Sequence, residues 1–305
     1  MATQEQAAPF VVEKARAGAT PAKAKPKQRI DWGKVGRYAA VVAVVLFSLA
    51  PFYWTVVTSI KGDLELNSSP PTLFPHTITL GNYGIDLTSS GSAFFREDLR
   101  NSAIIASITT ILCLVFGSLC AYAIARLKFR GKTLVLLAVL SVSMFPFIAL
   151  VGPLFVFFTN VNLYDTYVAL IIPDLVITLP LTIWLLTSFF RDLPPDLEEA
   201  ALVDGDTRLG ALWHIVVPLT APGVFAAAIL SFISAWNDFL FGLTLTSSTR
   251  AQPVTVGVTL FNGEHQIPWG QIAAAAVIVT IPLVILVLFF QRRIVSGLTA
   301  DAVKG

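Results

Sequence analysis

Charged residues are scarce in this sequence of 305 residues. They make up 13% of it, whereas a soluble domain usually carries about 25% charged residues. Hydrophobic residues reach 55%, and the mean hydropathy is +0.74. This composition excludes an ordinary soluble domain and indicates a protein built for lipid.

Residues that carry metal or redox chemistry are also few. Cys113 and Cys120 lie in one apolar run, where a helix would place them on one face as small packing residues. The three histidines are far apart in sequence, without metal-ligand spacing. We therefore expect no metal, no catalytic residue and no bound cofactor on this chain. The P-loop pattern G-x-x-x-x-G-K-[ST] is absent as well, so any ATP hydrolysis must occur on another chain.

Long apolar runs are what the sequence contains instead. A helix of about 20 apolar residues crosses the hydrocarbon core of a bilayer, and lipid offers no partner to an open backbone. Six runs qualify: residues 38–60, 102–125, within 133–164, 166–190, about 217–245, and within 266–291. We predict an all-α polytopic membrane protein with six transmembrane helices.

Lysine and arginine are distributed unevenly among the connections, and cytoplasmic loops are normally the ones enriched in them. If the amino terminus is cytoplasmic, the cytoplasmic segments hold 17 of the 21 basic residues. The sequence therefore predicts a multi-pass protein of the cell (inner or plasma) membrane with both termini in the cytoplasm. We expect a disordered basic tail over residues 1–37, a transmembrane domain over 38–291 and a cytoplasmic tail over 292–305.

One cytoplasmic connection, residues 192–218, is too polar to lie in lipid, and its residue pattern is too regular for an irregular loop. Its composition predicts two short helices joined by a tight turn. The residues able to cap or end these helices are Asp192 or Asp196, then Gly205, then Asp206 or Thr207. The second helix should run to Val217 and enter the fifth span after Pro218. The adjacent alanines of the first helix would give a small-residue face.

This connection carries a family resemblance. Its pattern consists of Glu199, Ala200 and Ala201, then Gly205, then Ile215, Val217 and Pro218. It resembles the EAA motif of ABC-importer permeases, with Val217 where the family has Leu. The resemblance implies that the segment is a coupling helix that docks into an ATPase subunit. Glu199 would make a charge contact there, and Gly205 would set the angle of the turn.

Other short motifs resemble sugar permeases of the MalG type, and most closely the SugB type of trehalose importers. They lie at residues 121–132, 144–155, 235–239 and 291–298. The resemblance implies the type I ABC-importer architecture and a permease subunit that imports trehalose or another di- or oligosaccharide. It also implies a paralogous MalF/SugA-like permease subunit, an extracytoplasmic sugar-binding lipoprotein, and two ATPase subunits that hold ATP and Mg.

Two acidic residues lie within the predicted spans, where a charge costs about 2.5 kcal/mol or more near the helix centre. Asp174 and Asp238 are therefore candidates for the substrate path, although a place near the outer interface or a structural hydrogen bond would also explain them. Trp236 and Asn237 beside Asp238 combine an aromatic face with polar groups, which suits a sugar. A proton-driven secondary transporter would instead use both acids as relays. An ABC permease for a glycerophosphodiester or another oligosaccharide is a nearer alternative.

Overall fold

The computed structural model describes residues 32–88, 92–261 and 267–299. Within these ranges the regular elements are helices, and they contain no strand. Most of the predicted amino-terminal tail, and residues 300–305 of the predicted carboxy-terminal tail, lie outside the described residues. The chain divides into two compact units, Met1–Leu49 and Ala50–Gly305. The described part of the first unit is a single helical stretch, and the second unit holds the packed bundle.

The first helices differ in extent from the predicted spans. They are α1 (Trp32–Ser59), α2 (Asp63–Leu66), α3 (Gly81–Thr88) and α4 (Ser92–Arg126). Because α1 begins at Trp32, the last residues of the tail predicted over 1–37 are helical. Because α4 begins at Ser92, it starts ten residues before the second predicted span, which begins at residue 102.

The third apolar run is broken into two helical segments. Its elements are α5 (Lys132–Val142), a 3₁₀ turn (Phe147–Leu150) and α6 (Val151–Asn160), followed by α7 (Tyr167–Asp192). The segments before and after the break are bent by 79°. Pro146 lies at the break, where it has no N–H for a helical bond and disfavours helix in the preceding residue. The break explains why this apolar run is longer than one span needs.

The chain bends a second time before the fifth span. The remaining elements are α8 (Asp196–Val203), α9 (Arg208–Ala211), a π-helical turn (Leu212–Val216), α10 (Val217–Leu219), α11 (Ala221–Trp236), α12 (Leu240–Leu245), α13 (Val254–Gly257) and α14 (Trp269–Thr299). The helical segment Arg208–Leu219 is bent by 86° from α11. The straight helix within the predicted fifth span therefore starts at Ala221, four residues after the predicted start near residue 217. The last helix continues to Thr299, so the predicted tail from residue 292 begins as helix.

Four continuous helices are long and apolar enough to cross a membrane: Gly33–Ser59, Phe94–Arg126, Tyr167–Asp192 and Trp269–Phe290. The two bent pairs raise the number to as many as six if each pair is one span. The protein is therefore an all-helical, polytopic membrane protein with four to six spans in its described residues. The predicted six spans are reached when each bent pair counts as one.

The core of the second unit is organised around α4, α7 and α11, which pack against one another. One cluster joins these three helices to the segment before α11 and is centred on Leu186, Phe190 and Leu212. A second joins α4, α6, α7 and α12 around Phe158 and Phe241. A third joins α4, α11, α13 and α14 around Phe95. The connections therefore contribute to the core rather than only linking spans.

Side-chain bonds hold two connections, the one before α4 and the one after α12, to neighbouring helices. Asn101 of α4 donates from Nδ2 to the carbonyl oxygens of Thr249 (2.8 Å) and Gln252 (3.0 Å). In the other connection, Thr72 Oγ1 donates to Glu65 Oε1 over 2.6 Å, which lowers the pKa of Glu65. Tyr53 of α1 donates to the carbonyl oxygen of Leu73 over 2.9 Å. These connections are fixed to helices by side-chain bonds.

Candidate functional site

The polar connection folds into a helical hairpin, termed here the polar hairpin (residues 196–219). Its first arm is α8, and its second arm runs from α9 through α10. At the turn, Gly205 has a φ of 93°, the left-handed conformation that glycine adopts without penalty. Asp206 N donates to Ala201 O over 2.9 Å, and Gly205 N donates to Leu202 O over 3.3 Å. These two bonds form a Schellman motif, so the predicted role of Gly205 in ending the helix is confirmed.

The start of the first arm differs from the prediction. Neither Asp192 nor Asp196 caps it, because Asp192 is the last residue of α7 and Asp196 is already inside α8. The cap position is occupied by Pro195, without a side-chain bond to the helix. The chain from α7 to α8 is thus too short to leave either aspartate in a capping position. Acidic residues in the first turn still complement the helix dipole.

The second arm begins with a side-chain cap. Thr207 Oγ1 accepts a bond from Gly210 N over 3.0 Å, and Asp206 Oδ1 accepts from Thr207 N over 2.7 Å. The prediction of a cap at Asp206 or Thr207 is confirmed for Thr207. Asp206 supports the cap through its bond to Thr207 N. Its Oδ2 atom lies 3.2 Å from His214 Nδ1.

Two prolines surround the sharp bend at the end of the second arm. Pro218 and Pro222 have no N–H, so each removes a bond that a continuous helix would make to the residue four positions earlier. Thr220 lies between them, and its Oγ1 donates to Val216 O over 2.6 Å. The 86° bend therefore has a local cause. It turns the second arm away from the axis of the fifth span.

The residues of the EAA-like motif face in different directions. Glu199, Ala200 and Pro218 are exposed, Ile215 is half-buried, and Ala201 is buried. Adjacent helical residues point about 100° apart, so Ala200 and Ala201 do not share one face. The expected small-residue face is therefore limited to Ala200 beside Glu199.

Large apolar side chains surround this exposed part of the hairpin. Val203 is 87% exposed and Leu209 is 59% exposed. Leu197 and Trp213 are also exposed. Several apolar groups exposed close together in a polar segment are typical of a surface that another protein covers. This hairpin thus combines an acidic group with an apolar rim.

The neighbouring Glu198 is oriented inward and is buried, with an exposed fraction of 6%. Tyr122 of α4 donates a hydrogen bond to its Oε1, and Arg126 Nε lies 3.4 Å from its Oε2. Arg126 Nη2 also donates to Leu193 O over 2.7 Å. Glu198, Tyr122 and Arg126, termed here the Glu198 cluster, connect α4 with the linker after α7 and with the first arm.

The sequence prediction did not include the Glu198 cluster among functional residues, although the sequence contains a signal for it. Two consecutive glutamates on one short helix cannot both face the same surface. Tyr122 and Arg126 are four residues apart on α4 and therefore share a face. Their contact with Glu198 spans 76 residues of sequence, which no local pattern specifies.

Asp174 is placed in the interior of the bundle by α7. It is 3% exposed, and its Oδ2 atom has no hydrogen-bond partner in the described part of the chain. Within the described residues, no group of three or more His, Cys, Asp or Glu side chains could hold a metal ion.

The other predicted substrate residues are not assembled on one surface. Asp238 lies after α11, not within a span helix, and its carboxylate accepts bonds from Phe241 N (3.3 Å) and Gly242 N (3.0 Å). Trp236 is buried in the core and stacks on Phe232 at 5.5 Å between ring centroids. Asn237 is exposed and donates to Ile233 O over 2.8 Å. The structure thus gives Asp238 a helix-capping contact and Trp236 a packing contact.

A cleft of about 360 Å³ lies between the third, fourth and fifth spans. Its polar lining consists of hydroxyl groups, which the sequence prediction did not single out: Ser143, Thr178, Thr182, Ser231 and Ser234. Thr182 and Ser231 are hydrogen-bonded at 2.9 Å, and Thr178 donates to Ser234 over 3.3 Å. None of the four predicted substrate residues lines this cleft. Thr178, Thr182 and Ser231 are nearly fully buried, whereas Ser143 and Ser234 are exposed and can hydrogen-bond a neutral polar solute.

Sequence comparison identifies one family and several relatives. Residues 113–299 match the family described as "Binding-protein-dependent transport system inner membrane component". The trehalose/maltose transport system permease protein MalG of Thermococcus litoralis is 46% identical over 87% of this chain and 94% of its own length. The trehalose transport system permease protein SugB of Mycobacterium tuberculosis is 45% identical over 86% of this chain and 94% of its own length.

A third relative and a solved structure complete the comparison. The sulfoquinovosyl glycerol transport system permease protein SmoH of Agrobacterium fabrum is 42% identical over 90% of this chain and 95% of its length. A bacterial ABC transporter that imports the acidic polysaccharide alginate contains a similar fold. The TM-score is 0.72 at 21% identity, and the match covers 88% of this chain and 99% of that chain.

Proposed function

Because the chain belongs to the family of binding-protein-dependent transport system inner membrane components, we propose that it forms half of the translocation path of a sugar importer. As a family member it is the permease subunit of an ABC importer and not an enzyme, and a substrate-binding protein works with it. Membership excludes the proton-driven secondary transporter that the sequence left open. The single observation that carries the proposed coupling role is the polar hairpin with its exposed Glu199.

The proposed assembly contains this chain, a paralogous MalF/SugA-like permease subunit and an extracytoplasmic sugar-binding lipoprotein. Two ATPase subunits would bind ATP and Mg. Both termini and the polar hairpin would face the cytoplasm, as the distribution of basic residues favours. The exposed carboxylate of Glu199 would meet a basic group of an ATPase subunit. The apolar rim at Val203 and Leu209 would be covered by the same subunit.

The proposed mechanism follows from the connection between the hairpin and the cleft. The second arm leads directly into α11, and α11 contributes Ser231 and Ser234 to the cleft. Closure of the ATPase pair would move the hairpin and thereby shift α11 against α7. Alternating access requires an element that has two arrangements, and nucleotide binding must shift the equilibrium between them.

The proposed substrate is trehalose or another di- or oligosaccharide. The hydroxyl-lined cleft suits a neutral solute rich in hydroxyls, and two of the relatives are named for trehalose. SmoH, named for a sulfoquinovosyl glycerol, has a similar identity, so the sugar must be tested directly. Asp174 would act from inside the bundle, because it does not line the cleft.

Uptake of labelled trehalose tests the substrate. Cells that lack this chain should lose uptake, and re-expression of the wild-type chain should restore it. Unchanged uptake in a strain shown to have no second trehalose route would contradict the trehalose assignment. Competition by maltose, other oligosaccharides and glycerophosphodiesters would then identify the substrate.

Substitution of Glu199 tests the coupling role. Glu199→Gln should weaken co-purification of the ATPase subunits and lower uptake, because removal of one partner of an interface charge pair leaves the other unpaired. Asp63→Asn is the matched control, since Asp63 is an exposed acid on α2. If both variants retained full ATPase binding and uptake, Glu199 would not be part of the docking surface.

A further inference from the structure

Glu198 and Glu199 are adjacent and have opposite environments. Glu199 is exposed, whereas Glu198 is 6% exposed. A buried carboxylate is unfavourable unless it is paired and hydrogen-bonded. The inward glutamate therefore needs its own explanation, separate from contact with an ATPase subunit.

The partners of Glu198 come from the end of a different span. Tyr122 and Arg126 lie in the last turns of α4. Tyr122 donates a hydrogen bond to one carboxylate oxygen of Glu198, and Arg126 Nε forms an ion pair with the other at 3.4 Å. The Arg126 side chain is only 10% exposed, and its bond to Leu193 O fixes it to the linker before α8. One buried ion pair and two hydrogen bonds thus join three parts of the chain.

The surroundings of this cluster are polar and open to one side. A cavity of about 540 Å³ adjoins it, lined by Arg126, Lys128, Glu198, Glu199 and Arg208 among other residues. The two arms differ here, since the second arm is attached to the bundle by apolar side chains. The first arm reaches α4 through Glu198. A polar bond between separate elements is directional, so it fixes the angle of the first arm as well as its distance from α4.

We propose that Glu198 is a positioning residue that links the first arm of the polar hairpin to α4. Movement that an ATPase subunit imposes on Glu199 then reaches α4 through the Glu198 cluster, in addition to reaching α11 through the second arm. This inference rests on the proposed coupling function of the hairpin. The two consecutive glutamates then have different roles. Glu199 contacts the ATPase subunit, and Glu198 transmits the resulting movement to α4.

The test uses the complete transporter reconstituted with its ATPase subunits, partner permease and binding protein, with labelled trehalose as the probe. Glu198→Gln keeps the size of the side chain and removes its charge. We expect normal co-purification of the ATPase subunits and a fall of about fivefold or more in trehalose transported per ATP hydrolysed, the range of a typical coupling effect. Glu199→Gln should instead reduce ATPase co-purification.

A double-mutant cycle separates transmission from simple destabilisation. Arg126→Gln alone should show the same loss of transport per ATP, and the Glu198→Gln/Arg126→Gln double variant should be no worse than either single variant. Gly131→Ala is the control for destabilisation, because it places a side chain at a left-handed φ of 88° outside the hairpin. It should lower the Tm by a few degrees and leave transport per ATP unchanged.

Three results would overturn the proposal. One is normal transport per ATP in Glu198→Gln, and another is losses that multiply in the double variant. The third is an equal loss in Gly131→Ala. Failure of the underlying coupling function is distinguishable, since the wild-type complex would then show no ATP-dependent uptake or no association with ATPase subunits.

Discussion

The two arms of the polar hairpin are attached to the bundle by different forces. The second arm inserts Leu212 and Val216, both with no exposed area, into the apolar cluster of α4, α7 and α11. The first arm is attached to α4 by the Glu198 cluster, and most of its residues are exposed. One arm is therefore part of the core, and the other is fixed to it by a few directional contacts.

Because of this difference, one short segment can be stably attached to the bundle and still transmit the movement of a docked partner. Apolar burial is non-directional and scales with the area removed from water, so it fixes the second arm firmly to the spans. Hydrogen bonds and ion pairs depend on orientation. The orientation of the first arm can thus change with that of a docked partner, while the second arm stays fixed to the spans.

The largest effect should come from the core of the second arm. Leu212→Ala removes a fully buried side chain and should cost about 2–5 kcal/mol of folding stability. Thermal unfolding of the purified complex would measure the loss. Leu64→Ala is the control, because Leu64 is 95% exposed on α2, outside the hairpin, and should change stability by at most about 0.5 kcal/mol. Equal losses in the two variants would show that the second arm is not part of the core.

The turn between the arms should give an intermediate effect. Gly205→Ala places a side chain at a φ of 93°, which costs about 1–2 kcal/mol, although a Cβ there would meet no atom within 4 Å. Gly131→Ala is a matched control, since Gly131 has a φ of 88° and equal space but lies outside the hairpin. Both variants should lose similar stability in thermal unfolding.

Transport per ATP separates these two glycines. It should fall only in Gly205→Ala, because only that turn sets the angle between the two arms. A similar fall in Gly131→Ala would show that general strain, not hairpin geometry, is responsible. Gly205→Asn should be milder than Gly205→Ala, because Asn tolerates the left-handed conformation better.

The smallest effect should come from the cap of the second arm. Thr207→Ala removes the bond from Gly210 N and should cost about 1 kcal/mol, measured by thermal unfolding. Thr207→Ser retains a capping oxygen and should remain close to wild type. A loss in Thr207→Ser as large as in Thr207→Ala would show that the methyl group, not the hydroxyl, stabilises the arm.

Local chemistry explains which features could be predicted. The glycine at the turn, the threonine cap and the apolar runs were found because turn conformation, capping and span length depend on neighbouring residues. The predicted caps at Asp192 and Asp196 were wrong, because the exact end of α7 depends on packing. The substrate residues Trp236, Asn237 and Asp238 remain predictions, and the structure places them apart from the hydroxyl-lined cleft.

Local residue patterns were enough to predict a helical membrane protein with a hairpin between its fourth and fifth spans. Hydrophobic length and turn residues specify these features without reference to distant parts of the chain. The directions of the two glutamates depend on tertiary packing, which turns Glu198 inward to Tyr122 and Arg126 and Glu199 outward. Tertiary packing also decided which hydroxyls line the cleft. These contacts join residues far apart in sequence, and their geometry depends on how α4, α7 and α11 pack.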